Sequence, residues 1–312
     1  MTAVDFFASS RVLIVAGKGG VGKTTVGATL AVAASRAGAD VLLVELEGHS
    51  NLGSPFGRDE LPYEPIALEK VSTAGGQIHG CQIRPDRALQ EYLDASGLSR
   101  ISNRLARTGA IDVIATAAPG IRDLLALGKI RQLEQSDDFD LIVVDAPAAG
   151  HAVTFLQAPS GLAESVPSGP VRQQADAVLE MFGDESRCQV VLVTVPEEAP
   201  VTEAIETAFT LEDRVGLHLG PIVVNACWPA IDGLEGAVER RDPSGEAERA
   251  AAFRLDRMAS QAEELERLWA ELPLTQIALP FLFTTALERH HLDELADTLD
   301  VQLDDLRVGK TS

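Results

Sequence analysis

The sequence predicts an α/β fold, a mostly parallel sheet flanked by helices. Three observations carry this. Short apolar runs recur at residues 11–16, 41–45, 140–146, 189–195, 220–225 and 276–280, separated by longer helix-compatible stretches. The segment Gly17-Lys18-Gly19-Gly20-Val21-Gly22-Lys23-Thr24-Thr25 follows the first run directly. A later apolar run ends in an aspartate, Asp145.

The first run, Arg11-Val12-Leu13-Ile14-Val15-Ala16, has the composition of a buried strand. The segment after it fits the phosphate-binding loop pattern: Gly, four residues, Gly, Lys, Ser/Thr. Gly17, Gly19, Gly20 and Gly22, with Val21 between them, let the backbone curl so that successive N–H groups face phosphate oxygens. Residues 24–37 are alanine-rich and Gly38 is placed to stop a helix, so a positive helix N-terminus faces the same anion. Lys23 is expected on the β- and γ-phosphates, the Thr24 hydroxyl on Mg²⁺, and Thr25 near the α-phosphate. Lys18 is not required by the general pattern. It is either a solvated surface lysine or a cation that reaches a neighbouring subunit's nucleotide.

Composition bounds the partners. The chain has 312 residues, 46% hydrophobic and 23% charged, enough for one large α/β domain. A net charge of −21 speaks against nucleic acid as a partner and against broad adhesion to anionic membranes. No apolar run approaches the ~18 residues of a membrane span, and no signal peptide is read in residues 1–10. Cys81, Cys188 and Cys227 are far apart and form no C-x-x-C, which suits a reducing cytoplasm and speaks against a zinc site.

Further along, Val41-Leu42-Leu43-Val44-Glu45 reads as the second strand of a βαβ unit. Glu45 and Glu47 follow at its carboxyl end, where open parallel sheets bind ligands. Residues 45–52 are therefore either a switch that senses the γ-phosphate or an ordinary polar loop. Residues 53–65 read as loop and 77–83 as a further strand in which His79 and Cys81 are packing residues. Residues 85–133 and 156–182 are expected to form an inserted helical subdomain, with a loop at 156–170 as a possible lid. Asp140-Leu141-Ile142-Val143-Val144-Asp145 has the form of a strand whose terminal acid holds the Mg²⁺ shell. The run ending at Asn225 places an amide at a strand exit, where it either starts a turn or meets an adenine edge. Residues 246–272 predict a long helix whose Leu255, Met258, Ala262, Leu265, Trp269 and Leu272 face the core. Residues 276–280 predict a last strand and 285–299 a closing helix. His290 and His291 are adjacent, so they face different directions and make a poor metal pair.

The loop spelling Gly-Lys-Gly-Gly-Val-Gly-Lys-Thr-Thr resembles the deviant Walker A loop of the MinD/ArsA (SIMIBI-type) class of P-loop NTPases. The likeness extends over most of the chain. The segment 145–159, Asp-Ala-Pro-Ala-Ala-Gly-His-Ala-Val-Thr-Phe-Leu-Gln-Ala-Pro, is similar to switch II of the ArsA-like ATPases. That family includes the arsenical pump-driving ATPase and the ATPase of guided entry of tail-anchored proteins. The likeness is greatest to bacterial, actinobacterial-type anion-transporting ATPase homologues. Thr194-Val195-Pro196-Glu197 resembles the family's Thr-x-Pro-Glu, Val224-Asn225 its adenine contact, and Leu279-Pro280-Phe281-Leu282 its late segment beside the base.

The resemblance implies an ATPase that uses ATP and Mg²⁺ and works as a dimer in the cytoplasm. Lys18 would cross to the partner's phosphates, and Lys23, Thr24 and Thr25 would hold phosphate and Mg²⁺. Asp145 would sit on the metal shell, with Asn225, Pro280 and Phe281 at the base. Glu47 stands where the family has the aspartate that orients the attacking water, one methylene longer. The partner is a second copy or an ArsA-like paralogue, with a client protein or membrane protein beyond it. Two other functions fit the same loop: a weakly hydrolysing regulatory subunit, and a MinD/ParA-like spatial regulator.

Overall fold

Val12, Leu13, Ile14 and Val15 are fully buried in β1 (Val12–Gly17), as a strand covered on both faces requires. β1 lies inside the sheet, hydrogen-bonded on both sides. The computed structural model describes residues 3–46, 51–70, 75–95, 120–234 and 245–308. Glu47, with Gly48, His49 and Ser50, lies outside the described residues. So do residues 96–119 of the expected helical stretch and the expected turn at Asp242-Pro243-Ser244.

After a short α1 (Ala3–Phe7) and β1 come α2 (Lys23–Arg36), β2 (Val41–Leu46), β3 (Ile66–Lys70) and β4 (Gln77–Ile83). Then follow α3 (Pro85–Ala95), α4 (Ile121–Gln135), β5 (Leu141–Ala148), α5 (Ala149–Ser165) and α6 (Pro170–Phe182). The chain continues through β6 (Cys188–Thr194), α7 (Glu198–Thr210), β7 (His218–Leu219) and β8 (Ile222–Cys227), and ends with α8 (Glu246–Glu271), β9 (Gln276–Pro280) and α9 (Arg289–Val308). Among the described residues nine strands form one sheet in the order β3-β4-β2-β5-β1-β6-β8-β9, with β7 paired to β6. Among the described residues only the β3–β4 pairing is antiparallel.

Helices cover both faces. On one face Leu13, Val15, Leu43 and Val143 pack against α2 and, through Leu292, Leu295 and Leu299, against α9. On the other, Ile14, Val44 and Val144 pack with Leu127 and Ile130 of α4, Phe155 and Leu156 of α5, and Val178 of α6. The described parts of 85–133 and 156–182 therefore include the layer that covers this face. α3 meets α4 through a small cluster of Ala88, Leu89 and Leu125.

Three elements differ from expectation. The helix α5 runs through Pro159 to Ser165, where a loop was expected. Pro159 removes one backbone donor, and the burial of Phe155, Leu156, Ala158 and Ala163 offsets that loss. On α8 Ala251, Gln261 and Leu268 are buried and the expected Leu265 packs against the core, as does Leu272 just past the helix, while Ala262 and Trp269 are exposed, so the inward stripe is the expected one only in part. β3 is an antiparallel edge strand with a register shift between Ala67 and Glu69, and the sequence did not announce it.

Candidate functional site

The site grows from the carboxyl end of β1. Gly17 is in register with Ala148 of β5 on one side and Val193 of β6 on the other. A Cβ at Gly17 would lie 2.1 Å from the Val193 carbonyl oxygen, so only glycine fits where the chain leaves the sheet. The loop then climbs to Gly22, the left-handed N-cap of α2, with φ of +91°. Gly22 brings no side-chain cap, which leaves the first N–H groups of α2 available to an anion. A Cβ there would lie 2.2 Å from Asn225 Nδ2.

Asn225 explains that crowding. Its Nδ2 donates to the Val21 carbonyl at 2.9 Å and ties the loop to the exit of β8. Asn225, the amide for which the resemblance implies an adenine contact, here braces the loop. The next residue, Ala226, has φ of +59°, and the β8–β9 register shifts between Val224 and Cys227. Such a bulge re-aims the strand end. Buried Gln261 of α8 holds it from below: Nε2 donates to the Ala226 carbonyl at 3.4 Å and Oε1 accepts from Trp228 N–H at 2.9 Å.

Lys23 and Thr24 open α2. Lys23 Nζ donates to the Lys18 carbonyl at 3.1 Å. Burial lowers its pKa below the usual lysine value, against the opposing pull of Asp145 and Glu203. Thr24 Oγ1 donates to Asp145 Oδ2 at 2.6 Å. Asp145 is 2% exposed, so its carboxylate needs a close positive or polar counterpart. Thr25 lies in the first turn of α2, its carbonyl accepting from Thr29 Oγ1 at 2.9 Å.

Next to Asp145, Glu45 of β2 is in register with it and 6% exposed. Glu45 accepts from Leu52 N–H at 3.1 Å and from Gln82 Nε2 at 3.0 Å. It thus ties the end of β2 to the backbone beyond residues 47–50. The sequence placed Glu45 at a strand end, at the start of the candidate switch, without indicating its bonding partners, which are 7 and 37 residues away.

A cleft of about 490 Å³ opens beside the loop. Lys18, Gly19, Gly20 and Val21 line it together with Trp228, Phe281, Gln261 and Arg257, and the Trp228 and Phe281 rings lie 6.1 Å apart. Phe281 N–H donates to the Cys227 carbonyl at 2.8 Å, and Pro280 is in register with Cys227. The structure therefore brings Lys18, Gly19, Gly20, Val21 and Phe281 to one cavity. Lys23, Thr24 and Asp145 form a neighbouring polar group at the loop's other end. Trp228, Gln261 and Glu203 were missed. A signal existed for Trp228: it is one of two tryptophans and lies three residues past Asn225.

The residues fit a nucleotide with a divalent cation. Thr24 and Asp145 are hard oxygen donors of the kind Mg²⁺ takes through oxygen and water. At Gly20 the loop is open, with nothing within 4 Å of where a Cβ would stand, and Lys23 Nζ lies on the Lys18 carbonyl of the same loop. No cluster of three metal-ligating side chains occurs among the described residues. No described helix is long and apolar enough to cross a membrane.

Comparison with known proteins agrees with the loop and strand pattern. The profile of the family described as anion-transporting ATPase matches residues 10–168. ATPase BagA of Mycobacterium tuberculosis is 36% identical over 229 residues, covering 70% of this chain and 66% of that protein. A putative arsenical pump-driving ATPase of Halobacterium salinarum is 28% identical over 289 residues, 87% of this chain and 41% of its own length. ATPase get3 of Schizosaccharomyces japonicus is 30% identical over 159 residues, 51% and 47%. The chain thus spans two thirds or less of the length of these curated relatives. By its loop, its sheet and these matches, the chain belongs to the anion-transporting ATPase family, the ArsA-like ATPases.

Proposed function

We propose that the chain binds ATP with Mg²⁺ and hydrolyses it to ADP and phosphate as a dimeric switch in the cytoplasm. The single observation that carries this is the 2.6 Å hydrogen bond from Thr24 to buried Asp145, at the N-terminus of the helix that follows the glycine loop. In this reading the loop N–H groups and the N-terminus of α2 bind the phosphates. Lys23 leaves the Lys18 carbonyl for the β- and γ-phosphates. Thr24 and Asp145 would hold Mg²⁺, which supplies charge neutralisation on the phosphate oxygens when bound. Asn225 fixes the loop through Val21, and Trp228 with Phe281 forms the apolar wall for the base.

Lys18 would act on the nucleotide of a partner subunit, a second copy or a paralogue. An added cation on a transferring phosphoryl group is worth on the order of 10³–10⁵ in rate. Glu47 would orient the attacking water, with Glu45 fixing the chain just before it. The helices described within 85–95, 120–133 and 156–182 would engage a client or membrane partner. Support for the compartment comes from Cys81, Cys188 and Cys227, all three of them free thiols.

Steady-state ATP hydrolysis across protein concentrations, beside Lys18→Ala, tests the proposal. Turnover that rises with concentration and is lost in Lys18→Ala is the expected result. ATP binding with negligible turnover at every concentration sinks the self-sufficient enzyme in favour of a regulatory subunit that needs an unlike partner.

A further inference from the structure

Lys18 Nζ lies 3.1 Å from Glu203 Oε2, and the two side chains are 39% and 34% exposed. Glu203 sits on α7, the helix that follows β6, and β6 is the strand beside β1, from which the loop leaves. The other loop lysine is bonded differently, with Lys23 Nζ on the Lys18 carbonyl at 3.1 Å. Glu203 also acts on Lys23 through space, raising the tendency of that half-buried amine to stay charged. One carboxylate therefore stands beside both cations but is within ion-pair distance of Lys18.

A lysine carries a mobile charge on a flexible stem and goes to the nearest strong anion. One residue past Gly17, the nearest strong anion would be the triphosphate in its own loop. Glu203 offers a fixed alternative on a rigid helix. We infer that Glu203 is a positioning residue for Lys18: it holds the ammonium against α7 and off the chain's own nucleotide, which keeps it available to a second copy's nucleotide. The last clause rests on the proposed action of Lys18 across a dimer. The pair is exposed enough to be weak, at most about fivefold in an equilibrium, so a partner's phosphates can take the lysine over.

The test is affinity for a ribose-labelled fluorescent ATP analogue with Mg²⁺ at dilute protein, for wild type, Glu203→Ala, Lys18→Ala and the double variant. Glu203→Ala is expected to tighten binding about two- to fivefold, because Lys18 is freed to reach its own phosphates. The double variant is expected to bind like Lys18→Ala alone, as for two residues that act through one contact. In turnover, Glu203→Ala is expected to lower kcat, and Glu203→Gln, which keeps an acceptor without the charge, to fall between. Unchanged affinity in Glu203→Ala overturns the inference. So does tightening of equal size in both backgrounds, which would make Glu203 a general repulsive charge. If the Lys18-dependent tightening appears but Lys18→Ala turns over like wild type, the dimer reading falls and the hold of Glu203 on Lys18 stands.

Discussion

Thr24 Oγ1 and Asp145 Oδ2 are 2.6 Å apart although 121 residues separate them in the chain. The contact joins the first turn of α2 to the carboxyl end of β5, and it exists because β5 lies directly beside β1 in the sheet. Asp145→Asn keeps the shape and removes the charge. Mg²⁺-dependent turnover is expected to fall on the order of 10²-fold, while binding of ATP without Mg²⁺ changes little. Titration of Mg²⁺ in a hydrolysis assay, with a parallel metal-free binding curve, checks both halves.

Lys23 gives a pH dependence with a defined sign. Burial lowers its folded-state pKa below 10.5, so in the window beneath 10.5 the unfolded chain binds more protons than the folded one. The contribution of Lys23 to stability therefore rises as pH climbs through its folded pKa. Lys23→Met removes this. The difference in melting temperature between nucleotide-free wild type and Lys23→Met is expected to narrow or reverse in favour of wild type as the solution becomes alkaline. A difference that stays flat over that range would show that Lys23 is not desolvated.

Gly22 and Asn225 make a matched pair of tests. Gly22→Ala brings a Cβ to 2.2 Å from Asn225 Nδ2 at a left-handed backbone position, so the loop or the amide must move. Loss of nucleotide affinity of more than about tenfold is expected, with the fold intact by circular dichroism. Asn225→Ala removes the Nδ2 bond to Val21 and is expected to cost about 1 kcal/mol of stability. In the Asn225→Ala background the Gly22→Ala penalty is expected to shrink, because the clashing atom is gone. Equal penalties in both backgrounds would mean that backbone strain alone is responsible.

Glu45 is nearly buried and accepts from Leu52 N–H and Gln82 Nε2. Glu45→Ala strands both donors and is expected to cost about 1–3 kcal/mol in urea unfolding. Glu45→Gln keeps one acceptor oxygen and is expected to cost less. An alanine variant as stable as wild type would show that water replaces the carboxylate there.

The phosphate loop, β1, the acid-ended β5 and the late strands were legible in the sequence because each is set by neighbouring residues. Val12 to Val15 must be buried on both faces whatever surrounds them, and glycines spaced as Gly17, Gly20 and Gly22 turn the chain locally. The run from Leu156 to Ser165 misled because Pro159 and Gly161 are local breakers, whereas the burial that keeps α5 helical comes from the sheet beneath.

The sequence by itself determined the α/β class, the strand, glycine loop and helix at residues 12–36 and the residue types that stand at positions 23, 24 and 145, all properties of residue type and short-range order. Only the tertiary structure decided that Asn225 braces Val21, that Gln261 holds the left-handed Ala226, that Trp228 and Phe281 share a wall, and that Glu203 takes Lys18. Those partners lie 204, 35, 53 and 185 positions apart in the chain. No local preference encodes such pairs, and they meet because the strand order sets β6 and β8 on the far side of β1 from β5 and β2.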